Sequence, residues 1–417
     1  PVIVFAAALT TLPGEGGIAL RVPSIVASLA ALALMLALLR RLGYSPLAAG
    51  IGVVLMGTSA MFLTYGFMLD TPMIGLPLAL AGLLVARRIQ EGDPPSPWAI
   101  GAVGLFAGLT SWQGALTVVL MAAVILIPSS TRSRRSAPAI LLAASTVAGG
   151  ALSVAWAWWS FGSLTALKDS FVLRNGDPSG WFSFQQHAVA DLFGPILVAV
   201  ALGGMVVSVV RRRNQAVTGV VLFVSLVWAL LFRQGASIHD YWMYFGVLSV
   251  GLGAAALIAG LEVVTAEHLP RLDRLIRVAV VLAVGVMAVT SVLGSSKAER
   301  VVSSGADGGR VASRLPRAAT ERTTSVVALE EQFPGTALWA ALATHGVVGE
   351  ASSVDLERLA RTHPHLLVLL RQPVNTTADP VVLRHALATA GPFYVVPIRV
   401  CVEANDRALK TGGALAC

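Results

Sequence analysis

Residues 45–86 read SPLAAGIGVVLMGTSAMFLTYGFMLDTPMIGLPLALAGLLVA, two apolar runs joined by FMLDTPM at 67–73. A lone carboxylate, Asp70, stands between them. The runs approach the roughly 20 residues with which a helix crosses a hydrocarbon core of about 30 Å. Left at the bilayer centre, an ionised carboxylate costs about 2.5–3.5 kcal/mol on the gentlest scale. Two helices turning at Asp70 put that charge at a membrane face instead. There it is placed to cap the second helix, with Thr71-Pro72 as the first turn. The stretch reads as a helical hairpin with an acid at its tip.

The rest of the chain has the same character. Of 417 residues 56% are hydrophobic and 12% charged, with a mean hydropathy of +0.76. A soluble domain carries about 25% charged residues. The missing charge means a large apolar surface that faces lipid, so the chain is a polytopic membrane protein. The net charge of +8 is spread in short clusters between apolar runs: Arg40-Arg41, Arg87-Arg88, Arg132 with Arg134-Arg135, Arg211 to Arg213, and Arg271 with Arg274 and Arg277. Such clusters are topology signals, not the continuous basic face of a nucleic-acid binder. Membrane lipids are expected partners and nucleic acid is not. The chain opens on Pro1 and not Met, which fits a fragment or a processed form.

About ten spanning helices are expected, over 18–39, 46–66, 69–86, 97–111, 113–128, 137–158, 191–210, 216–233, 242–262 and 275–295. With the Arg40-Arg41 loop in the cytoplasm, all five basic clusters fall on that side. The turn at Asp70, the turn at Ser111-Trp112-Gln113 and the loops 159–190 and 234–241 then lie outside, in a multi-pass protein of the plasma (inner) membrane. The expected organisation is a transmembrane domain over 1–295, a linker over 296–320 and a small extracytoplasmic α/β domain over 321–417. In that last part VDLERLARTHPHLLVLLRQ reads as a helix leading into a strand, and VVLRHALATAGPFYVVPIRVCVE repeats the order. The two cysteines, Cys401 and Cys417, either form a disulfide, which an oxidising compartment permits, or remain free thiols.

Polar groups close to a membrane mark candidate sites, and four clusters fall on the outer face. They are Arg21 in IALRVPS, Asp70, Lys168 with Arg174 in the 159–190 loop, and His239-Asp240-Tyr241 in GASIHDYWMY. Each also has a plain structural role open to it. Arg21 can snorkel to headgroups, Asp70 can cap, Lys168 and Arg174 can be solvated, and Trp158, Trp159, Trp181, Tyr241 and Trp242 can form an interfacial belt. What favours chemistry is convergence on one face. Cations there suit a phosphate or pyrophosphate headgroup, with Arg presenting a bidentate fork. A nearby carboxylate can take a proton from an attacking hydroxyl or hold a divalent metal ion. His239 can bind phosphate when protonated or ligate metal when neutral. A lipid-tailed substrate with a polar head fits these parts.

The run from Pro1 through ALRVPS at 19–24 to Asp70, with GLFAGLTSWQGALTVVLMAAVILIP and IHDYWMYF further on, resembles the GT-C glycosyltransferases of the dolichyl-phosphate-mannose protein mannosyltransferase and aminoarabinose transferase type (glycosyltransferase family 39-like). The resemblance covers about 1–295. It implies a polyprenyl-phosphate-linked sugar donor, a lipid, glycan or protein acceptor, transfer of the sugar to a hydroxyl or phosphate outside the membrane, and inversion at the anomeric carbon. It also implies a first-loop acid as catalytic base. That acid would lie upstream of Pro1, with the chain N-terminally truncated and Asp70 a second carboxylate that supports metal or acceptor. Arg21 matches the family's Arg. Ser111-Trp112-Gln113 stands where many relatives carry a Lys, and Lys168 and Arg174 match no fixed motif. The readings carried beside the transferase are a non-catalytic protein that binds lipid-linked sugar or assembles the cell envelope, and a transporter. A transporter would keep its charges near the midplane.

Overall fold

The computed structural model describes residues 16–66, 71–127, 132–176, 178–212, 214–238, 240–313, 325–329, 347–351, 356–362, 365–371, 380–390 and 393–410. Arg21 and Asp240 are among the residues in these ranges of which only the backbone is described. Asp70, His239 and Cys417, all named above, lie outside the described residues. The chain divides into two units, Pro1–Ala298 and Glu299–Cys417.

Local chemistry sets the helix ends. Helix α1 (Gly16–Arg41) finishes on Arg40-Arg41, where cations suit the negative end of the helix dipole. Gly43 then takes a left-handed φ of 81°. The Gly43 N–H bonds back to Arg40 O at 3.0 Å and the Tyr44 N–H to Leu39 O at 3.2 Å, a Schellman closure that satisfies two otherwise unpaired carbonyls. Ser45 next caps α2 (Pro46–Thr58), its hydroxyl accepting from Ala48 N at 3.0 Å with Pro46 leading the helix.

The expected single span over 46–66 is broken. Ser59 Oγ donates to Met56 O at 2.8 Å and accepts from Phe62 N at 3.3 Å. One hydroxyl thus closes α2 and opens α3 (Ala60–Tyr65), the competition with helix bonding that serine is suited to. Then follow α4 (Thr71–Glu91), α5 (Pro97–Thr110), α6 (Trp112–Leu126) and α7 (Arg132–Phe161). A single extended residue, Ser111, separates α5 from α6 and caps the latter through Gly114 N at 3.3 Å.

The stretch read as a 159–190 loop holds two helices, α8 (Thr165–Arg174) and α9 (Trp181–Leu192). Helix α9 meets α10 (Pro195–Val210) at 95°, across Gly194 with φ 75° and Pro195 as the first residue of α10. The spanning helix therefore starts at Pro195 and not at 191. Beyond it come α11 (Gln215–Leu231), the short α12 (Arg233–Ile238), a 3₁₀ turn at Asp240–Met243, α13 (Gly246–His268) and α14 (Asp273–Ser313). Helix α14 continues through the Ser/Gly-rich stretch read as the start of a linker.

Five helices among the described residues are long and apolar enough to cross a membrane, six if the bent α9–α10 pair is counted as one span, and α2, α5, α6 and α11 are shorter apolar helices. Each expected span thus has a helix, and the protein is a polytopic membrane protein. Lipid gives helices little hydrophobic reason to associate, so small residues that let backbones touch do that work. At the α10–α13 seam Gly204 faces the Gly253 backbone and Gly253 faces Ala201, so that a Cβ on either would collide with main chain.

One end of the bundle is laced by charge. Arg41 pairs with Glu91 at 2.7 Å and Asp93 at 3.2 Å, Arg88 with Asp93 at 3.0 Å, and Arg277 with Asp273 at 2.9 Å. Asn214 Nδ2 donates to Leu42 O at 3.2 Å, and Ser45 Oγ to Glu262 at 2.8 Å. Residues beside or within four of the five basic clusters thus meet at this end.

The second unit holds a sheet of order β2-β1-β3-β5-β4, built from β1 (Ser325–Leu329), β2 (Val347–Ala351), β3 (Leu367–Arg371), β4 (Ala388–Ala390) and β5 (Phe393–Pro397). Strand β1 pairs parallel with β2 and β3, while β5 pairs antiparallel with β3 and β4. Helices α15 (Leu356–Thr362), α16 (Pro380–Arg384) and α17 (Ile398–Lys410) complete it. Leu356, Val368, Val382, Val396, Ile398 and Cys401 form a buried core. This is a small α/β domain, although IRVCVE is helical and not strand. Cys401 is disulfide-bonded.

Candidate functional site

The opposite end of the bundle gathers α3, α6, α8, α9, α12 and the 3₁₀ turn. Their meeting point is the segment 233–244, which carries Asp240 and Tyr241. Two buried glutamines hold it. Gln113, near the start of α6, donates from Nε2 to Trp242 O at 3.2 Å. Gln185, on α9, donates from Nε2 to Ala236 O at 2.7 Å.

Aromatic and cationic contacts close the same segment from other sides. Tyr241 packs on Tyr65 with ring centroids 5.7 Å apart. Trp242 meets Phe232 at 5.4 Å, and Phe232 meets Phe171 of α8 at 5.3 Å. The Arg174 guanidinium lies over the Trp242 ring at 5.8 Å, and that of Arg233 over Trp181 at 5.2 Å. Both are cation–π distances. Trp158 and Trp159 are exposed at the end of α7, as belt residues are, whereas Trp181 and Trp242 are half-buried in this cluster.

Among the sequence-derived candidates, Arg174 and Tyr241 therefore share one cluster, and the Asp240 backbone sits between its two glutamine anchors. Lys168 is exposed on α8, six residues before Arg174 and so about 120° around the helix from it. Gly66 and Thr71 are the described residues on either side of 67–70, the stretch that carries Asp70. Ser28 Oγ of α1 donates to Gly66 O at 2.7 Å in a buried bond. Position 21 lies seven residues before Ser28, two turns along the same face of α1. On the far side of that stretch, Gly75 of α4 packs directly on Ser111.

Ser24 Oγ, Thr64 Oγ1, Gln113 Oε1, Trp181 Nε1 and Gln185 Oε1 are buried without a hydrogen-bond partner, all in elements of this end. An unpaired buried polar atom costs about 1–3 kcal/mol, so these groups are open to a further polar partner. The described residues contain no group of three or more His, Cys, Asp or Glu suited to a metal ion. Asp70, read as a possible metal ligand, lies outside those residues.

Gln113, Gln185 and Arg233 are the residues that sequence reasoning left without a role. Their signal was weak but present: each is a strong hydrogen-bonding group set in otherwise apolar or aromatic surroundings.

No protein-family profile matches the chain, and no curated protein matches it in sequence. In three dimensions it is similar to ArnT from Cupriavidus metallidurans bound to undecaprenyl phosphate, with a TM-score of 0.57 and 15% identity over 95% of this chain and 86% of that one. It is also similar to ArnT in the apo state, with a TM-score of 0.53 and 14% identity over the same shares. At this identity the likeness is one of fold. The chain has the GT-C glycosyltransferase fold.

Proposed function

We propose that this chain is an integral-membrane glycosyltransferase that moves a sugar from a polyprenyl-phosphate donor to an acceptor hydroxyl or phosphate at the extracytoplasmic face. The observation that carries the reading is the GT-C fold together with the gathering of Arg174, Tyr241 and the Asp240 backbone at the end remote from the basic clusters. ArnT, the neighbour in fold, is a protein seen bound to undecaprenyl phosphate.

The acceptor oxygen attacks the anomeric carbon, and the bond from that carbon to the carrier phosphate breaks, leaving the electron pair on the phosphate and inverting the centre. A phosphate leaving group needs no strong general acid. Arg21, Lys168 and Arg174, with His239 when protonated, provide positive charge for the phosphate. The hydroxyl proton goes to a carboxylate, with Asp70 supporting the acceptor in the reaction zone. Asp240 and Tyr241 line the sugar, and placing the two partners supplies much of the remaining rate. The acceptor is a lipid, a glycan or a protein. The membrane is the inner one, with the second unit outside.

The test is transfer by the full-length parent of this chain, purified in lipid nanodiscs and supplied with radiolabelled sugars on undecaprenyl phosphate and with cell-envelope lipid extract. Label moving from donor to acceptor in a chain-dependent way supports the proposal. Donor that binds without transfer, across all sugars tried, replaces the enzyme with a binding protein.

A further inference from the structure

We infer that Gln113 and Gln185 are a pair of positioning residues that fix the segment carrying Asp240 and Tyr241. The inference rests on the functional reading above for its chemistry but on geometry for its substance. The two side chains come from separate helices, α6 and α9, and both are buried, at 2% and 8% exposure. Each uses its Nε2 on a main-chain carbonyl of the same segment, Trp242 at 3.2 Å and Ala236 at 2.7 Å. In sequence the two anchored carbonyls flank Asp240 and Tyr241, so the segment is tied at both ends.

The second observation is the other half of each amide. Gln113 Oε1 and Gln185 Oε1 are buried and unpaired. An apolar replacement would remove that orphan acceptor but strand the carbonyl that Nε2 serves, so the balance of stability changes little while the tie to the segment is lost. Buried side chains that reach from other helices to hold a neighbouring backbone suit a positioning role. Tight packing supports the same end: a Cβ on Gly235 would come within 2.8 Å of the Trp242 ring, which leaves the segment little room once pinned.

The test compares wild type with Gln113→Met, Gln185→Met and the double variant in nanodiscs, plus Gln113→Glu. Glu keeps the shape but turns an acceptor toward the Trp242 carbonyl. Three readouts are taken: thermal midpoint, amide hydrogen exchange over 233–244, and affinity for undecaprenyl phosphate. The expected result is a midpoint for each Met variant no more than a few degrees below wild type, because the carbonyl it strands is offset in part by the orphan acceptor it removes. Exchange at the Ala236 and Tyr244 amides should be faster by about tenfold and affinity lower by about five- to tenfold, the worth of one anchoring hydrogen bond. Gln113→Glu loosens the segment more than Gln113→Met. Unchanged exchange and affinity in the double variant would overturn the inference, as would a fall in midpoint with the segment no more labile than its surroundings. Failure of wild type to bind undecaprenyl phosphate counts against the functional reading instead, and the exchange data still decide the anchoring.

Discussion

The guanidinium carbon of Arg174 stands 5.8 Å from the centre of the Trp242 ring, joining α8 to the 3₁₀ turn beside Tyr241. Arg174 is exposed, and a cation–π contact at an exposed site is worth about 0.5–1 kcal/mol. A guanidinium over a ring keeps most of its donors for other partners, so Arg174 can hold Trp242 and a phosphate together. Arg174→Ala should lower affinity for undecaprenyl phosphate by more than the clasp alone accounts for, by about tenfold or more. Trp242→Leu should cost only the clasp. Equal effects in titrations of the two variants would remove Arg174 from the phosphate site.

Ser28 is tied to Gly66 by a buried bond of 2.7 Å, and Gly66 leads into the Asp70 turn. Ser28→Ala strands the Gly66 carbonyl in an apolar setting, at a cost of about 1–3 kcal/mol. The expected outcome is a thermal midpoint several degrees lower, together with slower transfer because the turn loses its anchor. A midpoint equal to wild type would mean that the carbonyl finds another donor.

Where α10 crosses α13, Gly204 meets the Gly253 backbone with no room for a methyl group. Gly204→Ala should therefore separate the helices and destabilise the bundle by about 1–3 kcal/mol, whereas Gly203→Ala, one residue away and facing open space, should be close to neutral. Thermal unfolding of the pair in detergent measures the contrast.

Exposed cysteines report the sidedness. Pro94, in the link between α4 and α5, and Ser183, on α9, are both exposed and belong to opposite ends of the bundle. In intact cells a membrane-impermeant maleimide should label Ser183→Cys and spare Pro94→Cys until the membrane is opened. The reverse pattern would invert the orientation drawn from the arginines.

The spanning helices were legible because apolar runs, terminal arginines and Pro or Ser starts all agree, as at Arg40-Arg41 and Ser45-Pro46. The break at Ser59 was not, since a serine inside an apolar run reads equally well as a helix residue bonded to its own preceding turn. Helices α8 and α9 were hidden for a different reason. TALKDSFVLR and WFSFQQHAVADL mix aromatic and polar residues and take their order from packing: Phe171 on Phe232, and Gln185 on Ala236. In the candidate site, charge and motif pointed to Arg174 and Tyr241. The glutamines that hold their neighbours carry no charge, and only burial and hydrogen bonding across more than 50 residues of sequence distinguish them.

The most direct measurement is sugar transfer by Asp70→Asn against wild type, with donor binding followed in parallel. Asparagine keeps the capacity to cap α4 but neither takes a proton nor carries charge. With Asp70 as the carboxylate that supports the acceptor, transfer should fall by about tenfold or more while undecaprenyl-phosphate sugar still binds. Transfer at the wild-type rate would reduce Asp70 to a helix cap and move the reaction elsewhere.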